Sequence, residues 1–427
     1  MKRFLIAAPA SGSGKTVITL GLLRAFCDRG LKTRSAKAGP DYIDPAFHAA
    51  ATGDECVNLD PWAMSGARLK ALAERSFGTA DLAVVEAMMG LFDGAADGTG
   101  SAADLASQLQ IPVVLVVDAS RMSYSIAALV RGFRDHRSDV LFSGVILNRV
   151  GSARHEKMLR NALERIGVQV FGAVPSSEAL ELPSRHLGLV QANEHGSLET
   201  FIASAANCIA ANCDLEALSN LGGNHQWPAD EKGLLPLGQH TAVARDDAFA
   251  FSYVHMLEDW RRRGGELSFF SPLQDEAPDE SADAVFLPGG YPELHAGRLS
   301  GADNFKSGLI RAKDRGATIY GECGGYMVLG EGLVDANGSR YAMSGLLKLE
   351  TSFEKRKLHL GYRCLKTKDF VLGNRFMAHE FHYTSALREE GEPLFEAEDA
   401  LGNELGKTGL RDANVMGSYM HIIDGDS

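Results

Sequence analysis

The stretch Tyr320-Gly-Glu-Cys-Gly-Gly-Tyr-Met327 has the composition of a nucleophile elbow. The apolar run Ala317 to Tyr320 reads as a strand entering a bend, and Met327 to Leu329 as the start of a helix leaving it. Such a turn pushes the Cys323 side chain into a cleft, and glycines let the backbone close behind it. A helix N-terminus at that point favours the thiolate. The rival reading is a small buried cysteine at a glycine-rich turn. Two further features favour catalysis. In Leu287-Pro-Gly-Gly-Tyr-Pro-Glu293 a strand breaks into a turn, and its free N–H groups, that of Gly290 among them, could join that of Gly324 as an oxyanion hole. His421 closes the late apolar stretch Val415-Met-Gly-Ser-Tyr-Met-His421 and can serve as the base.

A second chemistry lies near the N-terminus. Pro9-Ala-Ser-Gly-Ser-Gly-Lys-Thr16 sits between an apolar strand, Arg3 to Ala8, and a helix, Val17 to Phe26. Backbone N–H groups of such a loop, shaped by Gly12 and Gly14, cradle phosphates. Lys15 reaches the β/γ-phosphates of ATP, and the Thr16 hydroxyl ligates Mg²⁺. Pro9 departs from the usual pattern, which has a glycine there. Strand Thr33 to Ala38 runs into Lys37-Ala-Gly-Pro-Asp-Tyr-Ile-Asp-Pro-Ala-Phe-His48. Asp41 and Asp44, three apart at a strand's C-terminal end, suit magnesium or the orientation of an attacking group. They are equally ordinary turn residues. Strand Leu82 to Val85 ends in Glu86, the acid expected downstream of a phosphate loop, and Asp93 in Phe-Asp-Gly is a second candidate. Asn148 closes strand Val140 to Leu147, as an adenine contact or as a cap. Thr16, Asp41 and Glu86 form the expected metal set.

Strands alternate with helices as far as Val174, which predicts an α/β fold with a doubly wound, mostly parallel sheet. A helix from Leu198 to about Leu218 closes a first domain, residues 1–218. Residues 219–239 are rich in Gly, Pro and Asn and read as a linker. Residues 240–427 form a second α/β domain. Arg185 and His186 can face an acidic ligand or cap a loop. The basic run Glu354 to His359, with Gly361-Tyr-Arg363 and His379 to Thr384, is either a solvated face or a receiver for a polycarboxylate.

The chain has 427 residues, 45% hydrophobic and 23% charged, as in a soluble globular protein of two or three domains. A net charge of −12 argues against nucleic acid or an anionic membrane as the main partner. No apolar run is long enough to span a bilayer, and the apolar N-terminus is too short for a signal peptide. Six scattered cysteines without a C-x-x-C pair point to reduced thiols and a cytoplasmic protein. Oligomeric state stays open, a homodimer included.

These strings, with Asn58-Leu-Asp-Pro-Trp62, resemble one family over essentially the whole chain. The family is the glutamine-hydrolysing cobyrinic and hydrogenobyrinic acid a,c-diamide synthases of cobalamin biosynthesis. Gly-Pro-Asp-Tyr-Ile-Asp and Cys-Gly-Gly-Tyr-Met are its most specific strings. The resemblance implies a dethiobiotin synthetase-like P-loop domain followed by a class I-type glutamine amidotransferase domain. It implies that Cys323 and His421 release ammonia from glutamine. It further implies that Lys15, Thr16, Asp41, Asp44, Glu86 and Asp93 serve ATP, Mg²⁺ and an acyl phosphate formed on corrin acetate groups. Metal-free hydrogenobyrinic acid is the expected acceptor. Cobyrinic acid, a cobyric acid synthase-like reaction, or a nucleotide-dependent switch with an inactive second domain are the alternatives. Many class I amidotransferases carry Glu two residues after the catalytic histidine. Here that position is Ile423, with Asp424 one further on, and what orients His421 is left open.

Overall fold

Phe4, Leu5 and Ile6 are wholly buried, as the central strand of a covered parallel sheet requires. The computed structural model describes residues 2–177, 180, 184, 185, 188, 189, 197–223, 226–228, 231 and 233–425. The chain divides into two units, Met1–Glu231 and Lys232–Ser427.

The first unit begins β1 (Lys2–Ala7), α1 (Lys15–Asp28), β2 (Thr33–Ala38), α2 (Ile43–Thr52), β3 (Val57–Leu59), α3 (Gly66–Phe77) and β4 (Leu82–Glu86). It continues α4 (Ala102–Leu109), β5 (Val113–Asp118), α5 (Ile126–Asp135), β6 (Phe142–Val150), α6 (Ala153–Glu164) and β7 (Val170–Pro175). A small hairpin, β8 (Ser184–Arg185) and β9 (Gly188–Leu189), precedes α7 (Leu198–Asn212) and α8 (Leu215–Ser219). Strands β1 to β7 form one sheet in the order β3-β2-β4-β1-β5-β6-β7, and every neighbouring pair is parallel. The loop after β1 therefore leaves the sheet where strand order reverses, the usual ligand edge of such a fold. Val113 to Val117 are all fully buried, and burying each such side chain is worth about 1.5–3 kcal/mol.

Two differences from the sequence expectation have local causes. The single helix expected from Leu198 to about Leu218 is two helices. Cys213 leaves α7 to bridge Gly172 of β7, and the Asp214 N–H donates to the Phe171 carbonyl at 2.7 Å. The Asp214 carboxylate then caps α8 by accepting from the Ala217 N–H at 2.9 Å. The first part of the expected linker packs onto the first unit. The Arg3 guanidinium donates to the Gly223 carbonyl at 3.1 Å and lies 4.0 Å over the Trp227 ring.

The second unit begins β10 (His240–Ala244), α9 (Val254–Arg262), β11 (Glu266–Phe270), β12 (Ala284–Leu287), α10 (Ala296–Gly301), α11 (Asp303–Asp314), β13 (Thr318–Glu322) and α12 (Gly324–Leu329). There follow β14 (Gly332–Val334), β15 (Arg340–Ala342), β16 (Leu349–Ser352), β17 (His359–Lys366), β18 (Arg375–His382), β19 (Ser385–Glu389), β20 (Glu392–Asp399), β21 (Glu404–Asp412), β22 (Val415–Ser418) and β23 (Met420–Gly425). A ten-stranded sheet has the order β11-β10-β12-β13-β22-β21-β20-β17-β18-β23, parallel from β11 to β22 and antiparallel beyond. Strands β15-β14-β16-β19 form a smaller sheet. Helix α12 starts at Gly324, three residues before the apolar run suggested. Glycine makes that start possible: a Cβ on Gly325 would lie 1.9 Å from the Leu287 carbonyl oxygen. No helix among the described residues is long and apolar enough to cross a membrane.

Candidate functional site

Cys323 joins β13 to α12 with φ 45° and ψ −102°, a backbone that non-glycine residues hold only under constraint. The constraint includes its N–H, which donates to the Ser418 carbonyl of β22 at 2.8 Å. Gly324 follows so closely against the turn after β12 that a Cβ there would lie 3.0 Å from the Gly290 nitrogen. The two N–H groups expected to form an oxyanion hole are thus neighbours. Gly289, in the same turn, abuts the His421 imidazole: a Cβ there would lie 2.4 Å from Cε1. Cys323, Gly290, Gly324 and His421 therefore converge on one glycine turn, brought together by β12, β13 and β23.

The electrostatics differ from the expectation in one respect. Burial pushes the Cys323 thiol up, the Glu293 charge adds to this, and the Gly324 N–H opposes them without prevailing. Helix α12 is a single short helix, and no cation is among the groups that shift Cys323. The resting group is a thiol. Burial also holds His421 neutral, well below its ordinary value, and His379 and His382 reinforce this. A neutral thiol beside a neutral imidazole suits proton transfer during attack rather than a preformed thiolate.

The position two residues after His421 is Ile423, wholly buried, its carbonyl accepting from His255 Nε2 at 2.8 Å. A carboxylate reaches His421 from elsewhere. Glu322, the residue before Cys323, brings Oε2 to 3.9 Å from His421 Nδ1. Its Oε1 accepts from the Tyr320 hydroxyl and from the Ile422 N–H, both at 3.1 Å. Glu322 carries no role expected from the sequence. Its only signal is adjacency to the cysteine, and what it faces is decided by the pairing of β13 with β22, which the chain follows directly with β23.

Further out, Arg363 holds Glu380 at 2.6 Å, and the His382 Nε2 lies 3.0 Å from the other oxygen of that carboxylate. His359 stacks on His382 with ring centres 4.6 Å apart. Lys355, Arg356 and Lys357 are exposed, while Arg363 is committed to Glu380.

In the first unit the phosphate loop is braced by Asn148, whose Nδ2 donates to the Ser13 carbonyl at 2.9 Å. Gly12 and Gly14 hold φ of 80° and 88°, and a Cβ on Gly14 would collide with Asn148 Nδ2 at 2.2 Å. Lys15 Nζ donates to the Met89 carbonyl at 2.5 Å. The Thr16 hydroxyl donates to Glu86 Oε1 at 2.9 Å and lies 3.3 Å from Asp44 Oδ2. At the start of α2 the Asp41 Oδ1 accepts from the Ile43 N–H at 2.8 Å and from the Asp44 N–H at 3.2 Å. Asp93 caps its own turn, accepting from the Gly90 N–H at 2.8 Å.

Two residues here, Lys37 and His48, carry no expected role. Lys37 and Glu86 are register partners on β2 and β4. The buried Lys37 ammonium bonds Asp44 and lies 3.0 Å from Glu86 Oε1 and 3.7 Å from Asp41. His48 Nε2 lies 2.7 Å from Glu86 Oε2, with Cys56 Sγ 3.4 Å from its other nitrogen. Burial works to raise Glu86, but Lys37 and His48 prevail and hold it well below the usual carboxylate range. Burial and Asp41 push Asp44 up. Thr16, Asp44 and Glu86 offer only oxygen donors, and a cationic lysine already lies among the carboxylates. That donor set fits Mg²⁺. Arg185 belongs to β8 by its backbone, while its side chain and the whole of His186 lie outside the described residues.

Two family models match. The CobQ/CobB/MinD/ParA nucleotide binding domain covers residues 4–190, and the CobB/CobQ-like glutamine amidotransferase domain covers residues 240–426. The chain is 58% identical over 430 residues to hydrogenobyrinate a,c-diamide synthase of Brucella anthropi, covering 99% of both chains. It is 58% identical over 428 residues to that of Rhizobium meliloti and 50% identical over 432 residues to that of Rhodobacter capsulatus, again covering 99% of each chain.

Proposed function

Since the chain belongs to the hydrogenobyrinate a,c-diamide synthase family, glutamine-dependent carbon–nitrogen ligases, we propose that it amidates the a- and c-acetate carboxylates of hydrogenobyrinic acid using ATP and glutamine. The observation that carries this reading is the Cys323–His421 elbow, with N–H donors beside it, in a chain that also holds a phosphate loop facing buried carboxylates.

In residues 240–427, Cys323 Sγ attacks the carboxamide carbon of glutamine while its proton passes to His421. The Gly290 and Gly324 N–H groups receive the developing oxyanion. The C–N bond breaks, ammonia leaves with the proton, and water hydrolyses the thioester to glutamate. In residues 1–218, a corrin carboxylate oxygen attacks the γ-phosphorus of ATP, and ADP departs. Ammonia then displaces phosphate from the acyl carbon and loses a proton, leaving an amide. The sequence runs twice, once at each acetate group, and ATP is needed because a free carboxylate is too poor an electrophile to react with ammonia directly. Lys15 and the loop N–H groups bind the phosphates. Mg²⁺, held by Thr16, Asp44 and Glu86, would neutralise phosphate charge. Lys37 and His48 keep the Glu86 carboxylate ionised, and Lys37 holds Asp44 in place.

The test is mass spectrometry of hydrogenobyrinic acid incubated with the chain, ATP and glutamine. The expected product has exchanged two OH groups for two NH₂ groups. Lys15→Ala blocks it with either nitrogen source. Cys323→Ala blocks it with glutamine and retains it with ammonium salts. An unchanged corrin sinks the proposal.

A further inference from the structure

We infer that Glu322 is the positioning residue of His421, so that the acid of the glutaminase site comes from the residue before the nucleophile. The inference rests on the glutaminase reading of Cys323 and His421 and goes beyond it. Three observations carry it. Glu322 Oε2 faces His421 Nδ1 at 3.9 Å, with the two side chains 1% and 2% exposed. A carboxylate in that enclosure has little to solvate it besides its two hydrogen-bond donors and the imidazole. Its Oε1 is fixed by the Tyr320 hydroxyl and the Ile422 N–H, so the free oxygen is the one turned to the histidine. The position that usually supplies the acid is Ile423, an aliphatic side chain.

A gap of 3.9 Å is longer than a hydrogen bond, and catalytic contacts commonly tighten only around bound substrate. As Sγ attacks glutamine, the thiol proton moves to Nε2 of His421. The Glu322 carboxylate accepts from Nδ1–H and offsets the imidazolium charge. The same proton then leaves with ammonia, which returns the pair to its starting state.

Burial pushes the Glu322 carboxyl up to about 8, against the Ile422 N–H and Tyr320 hydroxyl, which both favour ionisation. The groups around the pair are Tyr320 and Cys323 beside Glu322 in sequence, His421 on β23, and His379 and His382 of β18 against His421. The carboxylate is the working form, so glutaminase kcat should rise with pH through about 8 in the unaltered chain.

The experiment measures glutamine hydrolysis by the full chain and its variants across pH. Glu322→Gln is expected to lower kcat about 10²-fold. It should leave KM for glutamine unchanged and erase the rise near 8. Glu322→Asp restores part of kcat. Tyr320→Phe keeps the ring, removes one donor to the ionised carboxylate, and moves the rise to higher pH. It decides the matter should Glu322→Gln fail to fold. Wild-type kcat in Glu322→Gln, or a rise unmoved in Tyr320→Phe, overturns the inference. Cys323→Ala run in parallel separates the two readings: hydrolysis persisting there removes the glutaminase assignment itself.

Discussion

Among single residues, Gly289 shows how tightly the amidotransferase site is drawn. Its φ lies outside the left-handed region, so backbone freedom does not explain it. What it lacks is a side chain, and the His421 ring occupies that space. An alanine there would meet Cε1 at 2.4 Å, far inside contact distance. His421 is buried between this turn and His379, whose ring centre is 4.9 Å away, so it cannot simply swing aside. Gly289→Ala should therefore lower glutamine hydrolysis by about 10²-fold or more, the usual cost of misplacing a catalytic group by roughly 1 Å. ATP-dependent use of ammonium should survive in the same preparation. Steady-state assays with the two nitrogen sources check it, and equal losses in both would point to misfolding instead. The residues that reacting groups need by type, Cys323, His421, Lys15 and Thr16, stood out in the sequence. Glu322, Lys37 and His48 did not. Each acts through a partner 38 to 99 positions away, and the tertiary fold, not sequence spacing, makes the pair.

At the level of elements, apolar runs closed by a polar residue announce the strands, and that signal is strong wherever both faces are covered. β2 matches its expected span, and β1 and β4 match to within one residue at each end. The helix break at Cys213 was not legible, because the competing partner is the β7 backbone, which nothing local announces. The contact between α1 and α7 was equally hidden. It turns on Gly21, where a Cβ would lie 2.5 Å from Ile209 Cγ1 and 2.9 Å from the Ala205 carbonyl oxygen. Two effects oppose one another in Gly21→Ala. Helix propensity favours alanine by about 1 kcal/mol. Forcing α1 off α7 costs about 1–3 kcal/mol, because the obstacle includes backbone and not only the tip of a side chain. The second effect should win, so the variant should unfold at lower urea concentration with an unchanged m-value. A higher midpoint would mean that α7 shifts at no cost.

Across the whole molecule, each unit carries the groups proposed for one half-reaction. Every group proposed to touch ATP lies in Met1–Glu231, and Cys323, Gly290, Gly324 and His421 lie in Lys232–Ser427. The identity of each chemistry was legible because each needs a short contiguous string. In the proposed reaction the agent made by one and used by the other is ammonia, which attacks an acyl carbon only when neutral. Cys323→Ala supplied with ammonium salts must draw on the small neutral fraction in bulk water. Its synthetase rate at subsaturating ammonium should climb about tenfold per pH unit below the pKa of ammonium, following that fraction. Glutamine-fed turnover of the unaltered chain should instead level off once Glu322 is ionised, above about 8. The two profiles measured on one corrin substrate should therefore diverge at alkaline pH. Coincident profiles would mean that glutamine-derived ammonia equilibrates with solvent before it reacts, and that the two units share a chain without sharing an intermediate.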